Sequence, residues 1–175
     1  RRSSESLTLL APFADAYPIA WMQGQSGKGY AQMARGDVSG GAETLAQANR
    51  TMDGYVASLP PEGIDRDVHM LRSNIAFIHA QALMRLGRNA EAVVAQKACM
   101  DARIAAVGPN SADAIGAYYT YAQMLQRADR LEEAEHYARL RAGAPRLDIG
   151  KTVVLAPTGA GVAQVLSGRG TGLEL

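Results

Sequence analysis

The sequence has little of several features that stabilise or target other proteins. It contains one cysteine in 175 residues, so no disulfide can form within the chain and its stability has to come from packing. Aromatic residues make up only 6% of the chain, which favours closely packed helices with small residues at their crossings. No apolar run reaches the roughly 18 residues needed to span a bilayer.

Charge of either sign is also nearly balanced. The formal net charge of +1 gives no electrostatic basis for binding nucleic acid or an anionic membrane surface. A single cysteine is compatible with the cytoplasm and, after removal of a signal peptide, with the periplasm. The composition therefore excludes classes of partner but leaves the compartment open.

What the sequence does contain is an internal repeat. Residues 80–92 (AQALMRLGRNAEA) recur as residues 122–134 (AQMLQRADRLEEA), with seven of the thirteen positions identical at an offset of 42 and no gap. Self-similarity at a fixed period of about 20–50 residues indicates stacked supersecondary units. The 47% apolar fraction is rich in Ala and Leu, which lose little side-chain freedom in a helix. Each unit is therefore predicted to be a pair of helices.

The first of these two repeats has clear helix start and stop signals. Asp65 or Asp67 is placed to cap its first helix. Gly87 ends that helix, because glycine readily adopts the left-handed conformation of a C-terminal turn. The returning helix is predicted over Asn89–Val107. Apolar residues recur at three- and four-residue steps along the first helix, at Val68, Leu71, Ile75, Ile78, Ala82 and Leu86.

The second repeat follows the same order. Residues 108–111 (GPNS) end the preceding helix. The Asn or the Ser of this segment can cap the next helix. Helices are predicted at 115–126 and 131–141. Asp129 stands where the preceding repeat has its turn glycine, a replacement that aspartate can tolerate.

A weaker copy of the unit is predicted upstream, at 19–58. It has a helix at 19–35, a turn at 36–37 and a second helix from 39 to 58. Three glycines in its first helix each cost about 1 kcal/mol relative to alanine. Residues 7–16 are predicted to add a short leading helix.

The end of the chain has a different character. Residues 146–175 are rich in Gly, Thr and Val without a helical period, so an irregular, extended or flexible tail is predicted, with a short strand at 151–156. The predicted domains are a helical repeat domain at 1–145 and the tail at 146–175. The repeats within the first domain are predicted at 19–58, 66–107 and 110–141.

The repeat residues resemble those of tetratricopeptide repeats. That pattern asks for a small residue in the first helix, a large one three positions on, a turn, and a small residue early in the second helix. These roles are filled by Ala80, Leu83, Gly87, Ala92 and Cys99, then by Ala122, Leu125, Asp129 and Ala134, and in the weak copy by Gly29, Gly36, Gly41, Leu45 and Ala48.

The spacing of 42 is similar to that of the longer repeats of kinesin light chains, and bacterial proteins with such arrays often carry them beside a caspase-like CHAT protease domain. The resemblance implies an all-α fold, an α-α superhelix of about three helix hairpins. It also implies that the first helices line a concave groove that binds a peptide or a partner helix. The groove positions carried over are Asn74, Phe77, Gln81, Met84, Arg85, Tyr119, Gln123, Gln126 and Arg127, with Gln23, Tyr30 and Met33 in the weak copy.

The residues themselves agree with this groove at three positions per helix. An aromatic, a glutamine and an arginine follow each other at i, i+4 and i+8 in both clear repeats, so each trio shares one helix face. Glutamine can bond an extended peptide backbone, arginine can bind a carboxylate with two hydrogen bonds, and the aromatic can pack on an apolar side chain. The alternative is that the aromatics pack within the solenoid and the arginines are simply solvated.

Short motifs that resemble catalytic or metal sites have simpler explanations. GQSGKG at 24–29 lacks the glycine spacing, the Ser or Thr after Lys and the preceding strand of a phosphate loop. Ser26 likewise lacks the spacing of a nucleophile elbow. Asp65, Asp67 and His69 alternate, so neighbours in this set point apart on a helix, and the carboxylates suit its positive end.

The lone cysteine and the remaining histidines also favour structural roles. Cys99 is expected to be a small buried packing residue rather than the thiol of a thiol–base pair with His79 or His136. His79 is expected in the interior and His136 on a charged helix. No zinc site, other metal site or cofactor site is predicted.

The sequence therefore predicts a non-enzymatic scaffold or adaptor that binds a protein or peptide, without nucleic acid and without membrane insertion. Two alternatives stay open. The chain is a regulatory or sensor region of a larger protein such as a caspase-like CHAT protease, which the reading frame on either side would decide. Or it is an assembly subunit of a larger complex that docks through its tail, where residues 152–155 and 162–166 are apolar enough to add as strands to a partner.

Overall fold

The structure is a computed structural model that describes residues 16–60, 63–143, 148–149, 152–154 and 165–167. The leading helix predicted at 7–16 lies outside the described residues, except for residue 16. The helices are α1 Pro18–Ala34, α2 Val38–Ser58, α3 Arg66–Arg85, α4 Asn89–Val107, α5 Ala112–Arg127 and α6 Leu131–Gly143. The strands are β1 Asp148–Ile149, β2 Thr152–Val154 and β3 Val165–Ser167.

Three of the helices have a side-chain cap at their N-terminus. The Asp65 carboxylate accepts a hydrogen bond from the Val68 amide at 2.9 Å, and the Ser111 hydroxyl accepts one from the Ala114 amide at 3.1 Å. Both caps were among the predicted ones. Asp37 caps α2 in the same way. These oxygens satisfy first-turn amides that have no partner within the helix, which is why the helices start at these residues.

The three turns within the hairpins have the same geometry. Gly36, Gly87 and Asp129 adopt positive φ angles of 92°, 72° and 59°. The amide that follows each of them bonds a carbonyl five residues back, as from Asp37 to Gln32. This pattern closes a helix C-terminus through a left-handed residue. The turns therefore align the hairpins, at a spacing of 51 positions and then of 42.

The helices pack as three hairpins in series. Helix α1 packs on α2, α3 on α4 and α5 on α6, and successive hairpins meet through α2 with α3 and through α4 with α5. Apolar side chains from α3, α4, α5 and α6 share one core, and a second core joins the first hairpin to α3. The predicted all-α arrangement, an α-α superhelix of three hairpins, is confirmed for the helices.

The weak first copy is a regular hairpin. Helix α1 is continuous through all three of its interior glycines. A Cβ atom added at Gly41 would lie 2.8 Å from the Gly29 carbonyl oxygen. The glycines at this crossing allow α1 and α2 to approach each other closely, which offsets their cost in helix propensity.

The described residues of the tail are its three strands. They form an antiparallel sheet in the order β1-β2-β3, with Val153 opposite Asp148 on one side and opposite Leu166 on the other. The short strand predicted at 151–156 is present as β2. The division between the repeat domain and the tail stays a prediction.

Candidate partner-binding groove

Most of the predicted groove residues lie at least partly exposed on the first helix of each hairpin. In the turn alignment, Gln81 on α3 corresponds to Gln123 on α5 and Tyr30 on α1. Helix α1 packs on α3. In an α-α superhelix, the first helices of successive hairpins lie on the same side. We use the name groove face for the surface formed by Gln23, Tyr30, Asn74, Phe77, Gln81, Arg85, Tyr119, Gln123, Gln126 and Arg127.

Aromatic side chains are part of this face. Tyr30 is 62% exposed and Phe77 is 37% exposed, which is high for large rings in a folded chain. Tyr119, which corresponds to Phe77, is half-buried. The exposed parts of the Tyr30 and Phe77 rings can therefore pack against an apolar group from outside.

Each trio ends with one arginine, Arg85 or Arg127, and both are exposed. Arg85 and Arg127 make no ion pair or hydrogen bond through their side chains within the described residues. By contrast, Arg88 and Arg130, three residues further along, each bind a glutamate with two hydrogen bonds of 2.6–2.7 Å. A guanidinium has five donors in a planar fork, so each free arginine can bind a carboxylate.

No acidic residue competes for these arginines along their own helices. Residues 18–34, 68–85 and 114–127 contain no Asp or Glu. The acidic residues of α3 and α5, Asp67 and Asp113, lie in the first helical turns, at the opposite ends from the free arginines. The residues that define the groove face therefore carry two positive charges, at Arg85 and Arg127, and no negative one.

One predicted groove residue is not on the surface. Met33 is 5% exposed and packs in a core cluster with Ala42, Leu45 and Ala82, so its inclusion in the groove was wrong. Met84, the equivalent residue of α3, is half-buried against the main core. Both side chains point between helices because the neighbouring second helix covers this side of the first one.

Two contacts to the groove face come from residues that sequence analysis did not single out. The Arg103 guanidinium of α4 donates to the Asn74 side-chain oxygen at 3.0 Å. The Asn89 side-chain amide donates to the Arg127 carbonyl at 3.2 Å, which ties the start of α4 to the end of α5. No local pattern marks these contacts, although comparing equivalent positions of the hairpins would have revealed Arg103.

The motifs that resembled catalytic sites have structural roles. Residues 24–29 lie within α1, and Ser26 is 8% exposed, so neither forms a phosphate loop or a nucleophile elbow. Asp65 serves as a helix cap. In the described part of the chain, no group of three His, Cys, Asp or Glu residues is arranged to hold a metal ion.

Cys99 and His79, which were not expected to form a thiol–base pair, have different neighbours. Burial raises the pKa of the Cys99 thiol, and its contact with Ser73 and the nearby Arg103 charge offset this only in part. Burial, together with the Arg88 charge, lowers the pKa of His79, whose Nδ1 is 3.0 Å from the Asn49 side-chain nitrogen. A thiol with a raised pKa is a poor nucleophile near neutral pH.

Comparisons with known proteins support the fold. No family model matches the sequence, and no curated protein is significantly similar to it. Among solved structures, the chain is similar to the crystal structure of BtubC (BKLC) from P. vanneervenii, with a TM-score of 0.57 and 18% sequence identity. The match covers 80% of this chain and 53% of BtubC, so the chain spans about half the length of that protein.

An identity of 18% supports the fold and not the partners of BtubC. The described helices fit the match, because they form hairpins stacked in series. None of the described helices is long and apolar enough to cross a membrane. The chain therefore has a repeat fold of the tetratricopeptide type, with helix hairpins stacked in series.

Proposed function

We propose that this chain is a non-enzymatic protein-interaction scaffold that binds a peptide or a partner protein on the groove face. The observation that carries the proposal is the repetition of an exposed arginine, with a glutamine four residues before it, on two successive hairpins. Both arginines lack a partner among the described residues. A charged donor that recurs without a partner at equivalent positions can bind a group from outside the chain.

The chemistry of the groove face indicates what kind of ligand it suits. The amides of Gln81 and Gln123 offer both a donor and an acceptor to the backbone of an extended segment. Arg85 and Arg127 suit a carboxylate, and the Phe77 ring suits an apolar side chain. A peptide segment with an acidic and an apolar side chain can contact the glutamines, the arginines and the Phe77 ring together.

A charge-reversal variant tests this proposal. Peptides are first selected on the wild-type chain from a display library of random sequences. The double variant Arg85→Glu, Arg127→Glu is then expected to bind the selected peptides at least about tenfold more weakly, because each charge-assisted hydrogen bond contributes about 1.5–3 kcal/mol. Far-UV circular dichroism should show unchanged helicity, since both side chains are exposed.

A matched control makes the same change of charge elsewhere. Arg50→Glu with Arg139→Glu alters two exposed arginines on the second helices α2 and α6. This variant is expected to bind as the wild type does. If the Arg85 and Arg127 variant also binds the peptides unchanged, the groove face is not the binding surface.

A second candidate function, assembly through the tail, is favoured by the small sheet. In the order β1-β2-β3, strands β1 and β3 stand at the edges. Unpaired backbone groups of edge strands can accept a strand from a partner. A chain lacking residues 146–175 would then lose self-association or complex formation, measured by analytical ultracentrifugation, while retaining its peptide binding.

A further inference from the structure

A polar pair in the second hairpin occupies positions that the first hairpin fills with methionines. The 51-position turn alignment places Ser73 level with Met22, and Arg103 level with Met52. Both methionines are 0% exposed and belong to one apolar cluster, and Ser73 is equally buried. Arg103 is only half-buried. Burying the Ser73 hydroxyl still costs more than burying a methionine, and a guanidinium stands where the first hairpin has an apolar side chain, so this departure from the repeat pattern points to a function.

The pair is connected to the groove face by hydrogen bonds. The Arg103 Nε donates to the Ser73 Oγ at 2.9 Å, and the Ser73 Oγ donates to the Cys99 carbonyl at 3.1 Å. The Arg103 Nη2 donates to the Asn74 Oδ1 at 3.0 Å. Within the described residues, Arg103 makes no ion pair with a carboxylate. The guanidinium of α4 is therefore held at two neighbouring points on α3.

This contact orients the exposed amide of Asn74. A guanidinium only donates hydrogen bonds, so the atom that faces it has to be the Asn74 oxygen, and the NH₂ group is directed away. No described residue accepts a hydrogen bond from that NH₂ group. Gln23, the equivalent exposed residue of α1, makes no side-chain hydrogen bond within the described part of the chain. The second hairpin alone thus has an amide that is held in one orientation at this position.

We propose that Arg103 is a positioning residue for partner binding. It holds Asn74 so that the amide N–H groups are presented to a main-chain carbonyl of an extended peptide on the groove face, and Ser73 fixes the guanidinium from the buried side. Backbone carbonyls recur along any extended segment, so this contact sets the position of a ligand without depending on its sequence. The inference rests on the proposed function, because it requires a peptide on this face.

The positioning itself is measured without any ligand. The NMR order parameter of the Asn74 side-chain NH₂ group should be high in the wild type. In the double variant Ser73→Met, Arg103→Met, which restores the residue pair of the first hairpin, the order parameter should fall. The melting temperature of this variant should stay at or above that of the wild type, since two methionines pack well at these positions in the first hairpin.

Binding of a peptide selected from the random display library gives the functional result. The Ser73→Met, Arg103→Met variant should bind about tenfold more weakly, as expected for one lost hydrogen bond of about 1.4 kcal/mol. Asn74→Asp should weaken binding to a similar extent, although it keeps a contact with Arg103, because a carboxylate cannot donate. Asn110→Asp is the matched control, because it makes the same chemical change at an exposed residue outside the groove face, and its binding should be unchanged.

Three results would overturn the positioning role. One is an Asn74 order parameter that does not change in the double methionine variant. Another is wild-type peptide affinity in that variant or in Asn74→Asp. The third is an equal loss of affinity in Asn110→Asp, which would show a general effect of negative charge. If the proposed function is wrong, Arg85→Glu with Arg127→Glu leaves peptide binding unchanged. The order parameter of Asn74 still decides in that case whether Arg103 positions its amide.

Discussion

Gln96 is a polar residue at a contact where the first hairpin has an apolar one. The turn alignment places it level with Leu45, and the two side chains are 1% and 0% exposed. The Gln96 Nε2 donates to the Thr120 Oγ1 at 2.7 Å, but the Oε1 is buried without a hydrogen-bond partner in the described part of the chain. A buried acceptor left unpaired costs about 1–3 kcal/mol. Gln96 is therefore expected to weaken the contact between α4 and α5.

Replacing Gln96 with leucine should raise the free energy of unfolding by about 1 kcal/mol. The variant removes the unpaired oxygen and copies Leu45, while the Thr120 hydroxyl keeps two backbone carbonyls of its own helix at 3.1 and 3.3 Å. Urea unfolding measures the change. Gln123→Leu makes the same substitution at an exposed position of α5 and should shift stability much less. A lower urea midpoint for Gln96→Leu would mean that the hydrogen bond to Thr120 outweighs the unpaired oxygen.

At the scale of elements, two glycines let α1 and α2 approach each other closely where they cross. Gly29 and Gly41 stand where the second hairpin has Ala80 and Ala92. A Cβ atom at Gly41 would lie 2.7 Å from the Met33 Cγ and 2.8 Å from the Gly29 carbonyl oxygen. Backbone cannot move aside as a side-chain end can, so a larger residue has to push the two helices apart. The glycines trade helix propensity for close packing.

Gly41→Ala is therefore expected to lower the free energy of unfolding by about 1–3 kcal/mol, although alanine is the better helix former. Gly54→Ala in the same helix is the control, because a Cβ atom there would meet nothing within 4 Å. That variant should gain up to about 1 kcal/mol. Urea unfolding of both variants measures the difference. Equal stabilisation by the two alanines would show that the crossing relaxes without cost.

The whole molecule arranges similar hairpins in series, so a binding surface can extend over more than one of them. Arg85 and Arg127 belong to different hairpins, and α3 and α5 contribute to a shared core. In stacked repeats each unit contacts its neighbours, and the equivalent faces of successive units form one extended surface. A ligand on the groove face is then expected to contact both hairpins at once.

This expectation separates the effects of the two single variants. Arg85→Glu and Arg127→Glu should each weaken binding of the same selected peptide, and the double variant should weaken it by close to the product of the two factors. Fluorescence anisotropy of a labelled peptide measures the three affinities. If one single variant binds the peptide as the wild type does, the ligand occupies one hairpin and does not span two.

Much of the fold follows from signals within a few residues of each other. The caps at Asp65 and Ser111 and the left-handed turns at Gly87 and Asp129 are local, because a helix end is closed by groups about three to five positions away. The repeat at an offset of 42 then shows that the units are equivalent. For these reasons the helix hairpins were predicted close to their observed bounds, including the weak one at 19–58.

The orientation of side chains was predictable only in part. Phe77, Gln81 and Arg85 share a face by helical periodicity alone, and the structure leaves that face at least partly exposed. Met33, which the family resemblance had placed in the groove, is buried instead, because a residue at the margin of a face is covered or exposed according to the helix packed beside it. That helix lies outside any local window.

By itself, then, the order of residues determined the helices, their caps, their turns and the repetition of the unit, since all of these depend on neighbours along the chain. Tertiary structure alone decided the close approach of Gly29 and Gly41, the burial of Met33 and the hydrogen bonds that join Arg103 to Ser73 and Asn74. These three features depend on contacts between residues at least 12 positions apart in the sequence. Such contacts form only when two helices pack together.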